Sequence, residues 1–274
     1  LSYKHHRLRE HLDKIYVHYN RREYVHPDPL EFLWRYSSIE DREITGLIAS
    51  GLAYGRVAQI LKSTEKVLKI LGPSPSGFLK NISLDELKPS LAGFKHRFTT
   101  ASEMAAVIKS ASLLQEKWGL LGNMLVEYLE KDDYHDALDK FVVAILEGAD
   151  LGKCSLLPRP QRGSACKRLH LFMRWMVRRD EVDPGGWDRV LPSVLTVPLD
   201  VHMFRIAKFL GFTRRQNASC TTASEVTEGF RRINPEDPVK YDFSLTRMGI
   251  LGLQKDALFR ELFTGEDAFI DSKS

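Results

Sequence analysis

Two residues stand where reactive side chains are commonly put to use. Lys167 follows the small, turn-rich run Arg162-Gly163-Ser164-Ala165-Cys166 and opens an amphipathic segment. A lysine in the first turn of a helix sits at the positive end of the macrodipole. That field disfavours the ammonium and lowers the amine pKa from its reference of about 10.4. Partial burial adds to the effect, and a neutral amine is a nucleophile. Asp200 lies in the run Val197-Pro198-Leu199-Asp200-Val201-His202 and precedes a second amphipathic segment that closes at Gly211. It reads either as an N-cap or as a carboxylate held at a helix start and aimed into a cleft.

The approach to Lys167 has a chemistry of its own. Backbone N–H groups at a turn that feeds a helix can face a phosphate. Arg159, Arg162 and Arg168 add charge beside them. Lys167, Leu171, Arg174 and Arg178 follow helical spacing apart from the apolar stripe of Leu169, Phe172, Met173 and Met176, which predicts a basic face. A solvated helix face is the alternative. Tyr54, Trp175 and Trp187 are aromatic candidates for stacking or wedging, or else core residues.

Other chemistries fail on spacing. Gly46 and Gly51 have the spacing of a phosphate loop, but Leu52 stands where that loop needs lysine. No G-x-S-x-G nucleophile motif occurs. The acidic run Lys131–Asp136 reads as helix capping rather than metal ligation. His5-His6 reads as a basic helix start. Three scattered cysteines (Cys154, Cys166 and Cys220) make neither a disulfide framework nor a four-cysteine metal set, and they fit a reducing, cytoplasmic compartment. Neither a metal nor a cofactor is expected.

Helices must position these residues. Helical periodicity runs through Arg7–Tyr19, Pro29–Tyr36, Asp41–Ala53, Val57–Leu71, Ser102–Trp118, Asp133–Leu146, Leu169–Val177, Val201–Leu210, Ala223–Ile233 and Asp237–Leu251. Breaks fall at Gly72–Ser76, Lys88–Gly93, Leu157–Gly163, Asp183–Gly186 and Asn234–Asp237. Alternating strand patterns are rare, so the chain reads as all-α. With 274 residues, 43% hydrophobic and 28% charged, it has the size of one large domain or two lobes around a cleft. The apolar stretches are too short to span a membrane. The basic N-terminal run Leu1–Arg9 lacks the apolar region of a signal peptide. The formal charge of +4 is mild, but Arg159, Arg162, Lys167, Arg168, Arg174, Arg178 and Arg179 cluster around the candidate nucleophile.

Two segments together resemble the helix-hairpin-helix DNA glycosylases, the superfamily of endonuclease III and the oxidised-guanine glycosylases. Pro198-Leu199-Asp200-Val201-His202-Met203-Phe204-Arg205 is similar to their Pro-Val-Asp-Thr-His-Val-x-Arg signature. Gly163-Ser164-Ala165-Cys166-Lys167 is similar to the hairpin pattern Gly-x-Gly-x-Lys, with Ala165 in place of the second glycine. The interval from Lys167 to Asp200 and the run Arg189-Val190-Leu191-Pro192 most resemble the archaeal 8-oxoguanine DNA glycosylase type. Ile48-Ala49-Ser50 and Tyr54-Gly55-Arg56 resemble the first barrel helix and its base-pocket loop. The chain also resembles a bacterial family of unknown function, through Leu52–Val57, Phe94–Phe98, Gly163–Arg168 and Asp237–Phe243.

The glycosylase resemblance implies two helical lobes around a central cleft: a barrel lobe over residues 37–190 with the hairpin-like element, and a second lobe of 1–36 plus 191–274. It implies a DNA glycosylase, with or without lyase activity, that excises a damaged base such as an oxidised purine. Lys167 is then the Schiff-base nucleophile and Asp200 its carboxylate partner. Arg162, Gly163, Ser164, Ala165, Arg168 and Arg205 bind DNA, and Tyr54, Gly55, Arg56 and His202 line the base pocket. The partner is double-stranded DNA carrying a damaged base, bound by a monomer near the nucleoid, with no membrane involved. The alternative is a non-catalytic nucleic-acid-binding protein on the same fold. A further alternative is an all-α interaction protein without nucleic acid.

Overall fold

A computed structural model describes residues 3–250. Leu251, the expected end of the last helix, and the rest of the expected second lobe (252–274) lie outside the described residues. The elements run α1 (Tyr3–Tyr19), α2 (Ile39–Gly51), α3 (Val57–Leu71), α4 (Pro75–Lys80), α5 (Leu84–Ser90), β1 (Lys95–His96), β2 (Thr99–Thr100) and α6 (Ala101–Trp118). They continue with α7 (Leu121–Leu129), α8 (Tyr134–Gly148), α9 (Lys167–Val177), α10 (Val201–Phe209), α11 (Cys220–Arg231) and α12 (Asp242–Ile250). Short 3-10 turns join them, the longest at Pro29–Arg35. The chain is therefore mostly helical, and the β1–β2 antiparallel pair is the only sheet among the described residues.

Hydroxyls and carboxylates start these helices where their first amides need acceptors. Ser38, Ser74, Asp133, Asp200 and Ser219 cap α2, α4, α8, α10 and α11. Ser83 with Glu86 and Thr100 with Glu103 form reciprocal capping boxes on α5 and α6. The acidic run at 132–136 works as a cap, as its spacing predicts: Asp133 accepts from the Asp136 amide at 3.0 Å.

The core is built around α2, which packs against α9, α6, α4 and the Pro29–Arg35 turn. Gly46 makes the α2–α9 approach close. A Cβ there would lie 2.9 Å from the Phe172 ring. Glu43 is wholly buried and joins three helices, α2, α6 and α7, to the segment that carries Trp187. Its carboxylate accepts from Gln115 Nε2 at 2.7 Å, the Leu121 amide at 2.9 Å, the Gly122 amide at 3.0 Å and Trp187 Nε1 at 2.5 Å. Burial nonetheless pushes this carboxyl up to about 6, against the pull of those donors. Trp187 and Trp175 are core residues, 3% and 0% exposed, which corrects their reading as wedge candidates. No helix is long and apolar enough to cross a membrane, among the described residues.

Candidate active site

Lys167 is the first residue of α9. Its N-cap, Cys166, is left-handed at φ 44° and gives no side-chain cap, so the leading amides of α9 keep their donors. Asp200 caps α10 with one oxygen only: Oδ1 accepts from the Met203 amide at 2.8 Å. Its other oxygen, Oδ2, lies 3.7 Å from Lys167 Nζ. The structure thus brings together two residues that the sequence places 33 positions apart. Their side chains are 37% and 19% exposed, so the pair is open to solvent.

The pair lies at the meeting of two recesses. The first has a volume of about 430 Å³ and is walled by Pro29, Ile60, Leu171, Pro198 and Phe243, with Gly55 and His202 on its lining. The second, about 490 Å³, runs along α10 past Phe204, Arg205 and Lys208. Lys167 and Asp200 line both. Of the residues expected to form a base pocket, Gly55 and His202 line the first recess. Tyr54 and Arg56 do not.

Tyr54 is held elsewhere. Its hydroxyl donates to the His96 carbonyl at 2.7 Å and shares a hydrogen bond with Thr99 Oγ1 at 2.9 Å. The Arg168 guanidinium lies 4.7 Å from its ring centre. Arg168 Nη1 itself donates to the Gly51 and Ser155 carbonyls, each at 2.6 Å. This arginine ties the end of α2 to the approach of α9 and is not displayed with the exposed Arg162, Gly163 and Ser164. Ala165 is buried. The turn at Pro160–Arg162 ends in a left-handed Gly163, whose carbonyl accepts from the Cys220 amide at 3.1 Å. Arg56 and Arg205 are exposed.

The basic face expected along α9 is corrected by the structure. Lys167 begins it at the surface, but the same stripe descends into the core. Arg174 is 2% exposed and pairs with Asp183 at 3.2 Å and with Asp242. Arg178, 5% exposed, meets Asp183 at 2.5 Å, Asp180 at 2.9 Å and Asp237 at 2.9 Å. Helical spacing reports which side of α9 these residues share. It does not report that aspartates from distant segments cover that side.

Sequence reasoning missed three residues around the site. Asp242 and Arg247, on α12, line the first recess. Burial pushes the Asp242 carboxyl up to about 6, with Arg174 pulling the other way. Phe98 is 72% exposed at the tip of the β1–β2 hairpin, and the neighbouring Arg97 guanidinium lies 5.6 Å from its ring centre. The same arginine packs on the site's rim: a Cβ at Gly55 would lie 3.3 Å from Arg97 Nη1. An aromatic and an arginine at a tight turn were the available signal for that hairpin.

A family model described as "Protein of unknown function (DUF2400)" matches residues 28–251. No curated protein and no solved structure matches the chain.

Proposed function

The chain belongs to the DUF2400 family, and for this member we propose a DNA glycosylase that acts through Lys167 and Asp200. The observation that carries the proposal is the approach of Lys167 Nζ to Asp200 Oδ2 at 3.7 Å, at the mouth of a cavity with apolar walls. An amine and a carboxylate in contact at a sheltered recess suit attack on a sugar carbon.

On this reading a damaged nucleotide leaves the base stack and enters the 430 Å³ recess. Asp200 Oδ2 takes the proton from the Lys167 ammonium as Nζ bonds to the sugar C1′. The C1′–N bond to the base breaks, and the departing base carries off that electron pair. Asp200 returns the proton to the base. Asp200 then takes a second proton from Nζ and passes it to the sugar ring oxygen as that oxygen leaves C1′, and the freed nitrogen lone pair closes a protonated imine between Lys167 and the opened sugar. The ionised carboxylate also steadies positive charge that develops on the sugar.

The expected lobes give each group its carrier. Residues 37–190 supply Lys167, and 1–36 with 191–274 supply Asp200. The amides and side chains of Arg162–Ala165 bind a phosphate beside the nucleophile, which fixes register without reading sequence. Arg205 lines the second recess and is suited to the neighbouring phosphate. Phe98 is the exposed aromatic suited to fill the gap left in the stack.

The test is base release from duplexes that each carry one lesion, oxidised purines included. The wild-type protein is expected to release base from at least one of them, and Lys167→Gln to be slower by on the order of 10³-fold or more. Salt-sensitive duplex binding with no release from any lesion would assign the fold to binding alone.

A further inference from the structure

The second recess does not end beside α10. A third, of about 680 Å³, lies at the C-terminal end of that helix, between it and α1 and α11. Lys208 lines both, so the two adjoin at its side chain. Together they form a track that starts at the Lys167–Asp200 pair and follows α10 as far as Arg214.

The track carries positive charge that the fold leaves uncompensated. Arg205, Lys208 and Arg214 are exposed, and none of them has a carboxylate partner among the described residues. Lys208 Nζ donates to the neutral Gln216 Oε1 at 2.9 Å. The carboxylates along the track are engaged by other groups. Asp200 faces Lys167. Glu225 accepts from Thr213 Oγ1 at 2.7 Å and from Arg215 Nε at 2.8 Å. Glu228 meets Arg231 at 3.0 Å and Arg232 at 4.0 Å. A groove lined by spare charge of one sign gathers a partner of the other.

Two aromatic rings stand among these cations. Phe204 lines the second recess, with the Lys208 ammonium 5.7 Å from its ring centre. Phe212 lines the third. It packs edge-on against Phe230 at 4.9 Å between ring centres and lies over Gly229, where a Cβ would come within 2.4 Å of the ring. Both rings are half-buried, so the fold holds each while leaving part of it on the track. Cations spaced along a groove, with rings between them, match the phosphates and unpaired bases of a single nucleic-acid strand. A duplex keeps its bases stacked inside and has nothing to offer rings set in a recess. An acidic peptide would use the cations alone.

Building on the glycosylase reading, we propose that this track holds a single strand of DNA, the damaged strand continuing past the reacting nucleotide. Its phosphates lie on Arg205, Lys208 and Arg214, and its unpaired bases stack on Phe204 and Phe212. The substrate class is then a damaged base at the edge of a duplex, where its strand runs on unpaired.

The test is binding of labelled oligo(dT) and of an undamaged blunt duplex of equal length to the full chain, read by fluorescence anisotropy over a series of salt concentrations. Oligo(dT) is expected to bind wild type with an affinity that falls linearly with salt on logarithmic axes. Lys208→Ala and Arg214→Ala are each expected to flatten that slope by about 0.7, one single-strand phosphate contact apiece. Arg215→Ala removes an arginine already paired with Glu225 and is expected to leave the slope unchanged. Phe212→Leu is expected to weaken oligo(dT) binding about fivefold or more at an unchanged slope, since stacking carries no charge. On the duplex, Lys208→Ala, Arg214→Ala and Phe212→Leu are expected to match wild type. The two surface variants keep the proposal open to refutation if Phe212→Leu fails to fold. No binding of oligo(dT), a slope that Lys208→Ala and Arg214→Ala leave intact, equal flattening in Arg215→Ala, or the same losses on duplex as on single strand would overturn it. Neither probe carries a lesion. Oligo(dT) held by these residues, with no base excision from any lesion, would sink the glycosylase reading and keep the track. Excision without oligo(dT) binding would do the reverse.

Discussion

Asp200 carries two duties on two oxygens. Oδ1 accepts from the Met203 amide and starts α10, while Oδ2 faces Lys167. The duties separate by substitution, because asparagine caps a helix about as well as aspartate but carries no charge. Asp200→Asn is expected to melt within about 0.5 kcal/mol of wild type and to lose base excision. Asp200→Ala is expected to lose excision and also about 1 kcal/mol of stability with the cap. Equal stability losses in the two variants, measured by denaturant unfolding, would show that the cap is not what Asp200 contributes to α10. Lys167 and Asp200 were legible in the sequence because each sits in a short local motif at a helix start. Asp242, Arg247 and Phe98 were not. Asp242 and Arg247 matter through what distant segments bring beside them, and Phe98 through an exposure that the chain alone does not display.

At the scale of elements, α9 is the spine of the account. Its first residue meets solvent, and within two turns its polar side is buried against Asp183 and Asp242. Arg174 is therefore a structural residue. Removing one partner of a buried pair strands the other charges, so Arg174→Met is expected to cost about 3–5 kcal/mol in unfolding experiments. A surface phosphate contact would instead change stability by at most about 0.5 kcal/mol.

Burial on α9 also sets a pH response. His170 is pushed down to about 3 by burial, with the nearby His135 adding to the effect, and its ring stacks on Tyr134 with centres 6.1 Å apart. The unfolded chain protonates this histidine below about pH 6.5, while the folded chain refuses the proton until about 3. This residue therefore withdraws stability as pH falls through that window. Relative to His170→Phe, which keeps a ring against Tyr134, wild type is expected to lose about 1.4 kcal/mol between pH 8 and pH 5.5. An unchanged gap between the two proteins would mean that His170 protonates freely in the fold. Long amphipathic helices such as α3 and α6 were legible from periodicity. α4, α5 and α7 were not, because they are short and α4 and α5 carry prolines that read as breaks. The β1–β2 pair is only two residues deep on each side, too little for an alternation to show.

For the whole molecule, the mostly helical class followed from composition and periodicity, and the structure agrees. The charge distribution did not survive as drawn. Of the cluster around Lys167, Arg174 and Arg178 are buried in ion pairs, Arg159 is paired with Asp139, and Arg168 is spent on two carbonyls. Arg162 and Arg179 of that cluster stay exposed, and Arg205 and Lys208 on α10 and Arg97 at the hairpin tip are exposed as well. A count along the chain weighs every arginine equally, whereas folding sets aside those with aspartate or carbonyl partners. Lys167 and Asp200 line both recesses, and of the exposed basic residues Arg205 and Lys208 line the second with them. The measurement that tests this account most directly is borohydride trapping on lesion-bearing duplex, with the cross-linked peptide sequenced by mass spectrometry. The account predicts a reduced covalent adduct on Lys167 that Lys167→Gln abolishes. An adduct that persists in Lys167→Gln, or base excision that leaves no adduct at all, would contradict it.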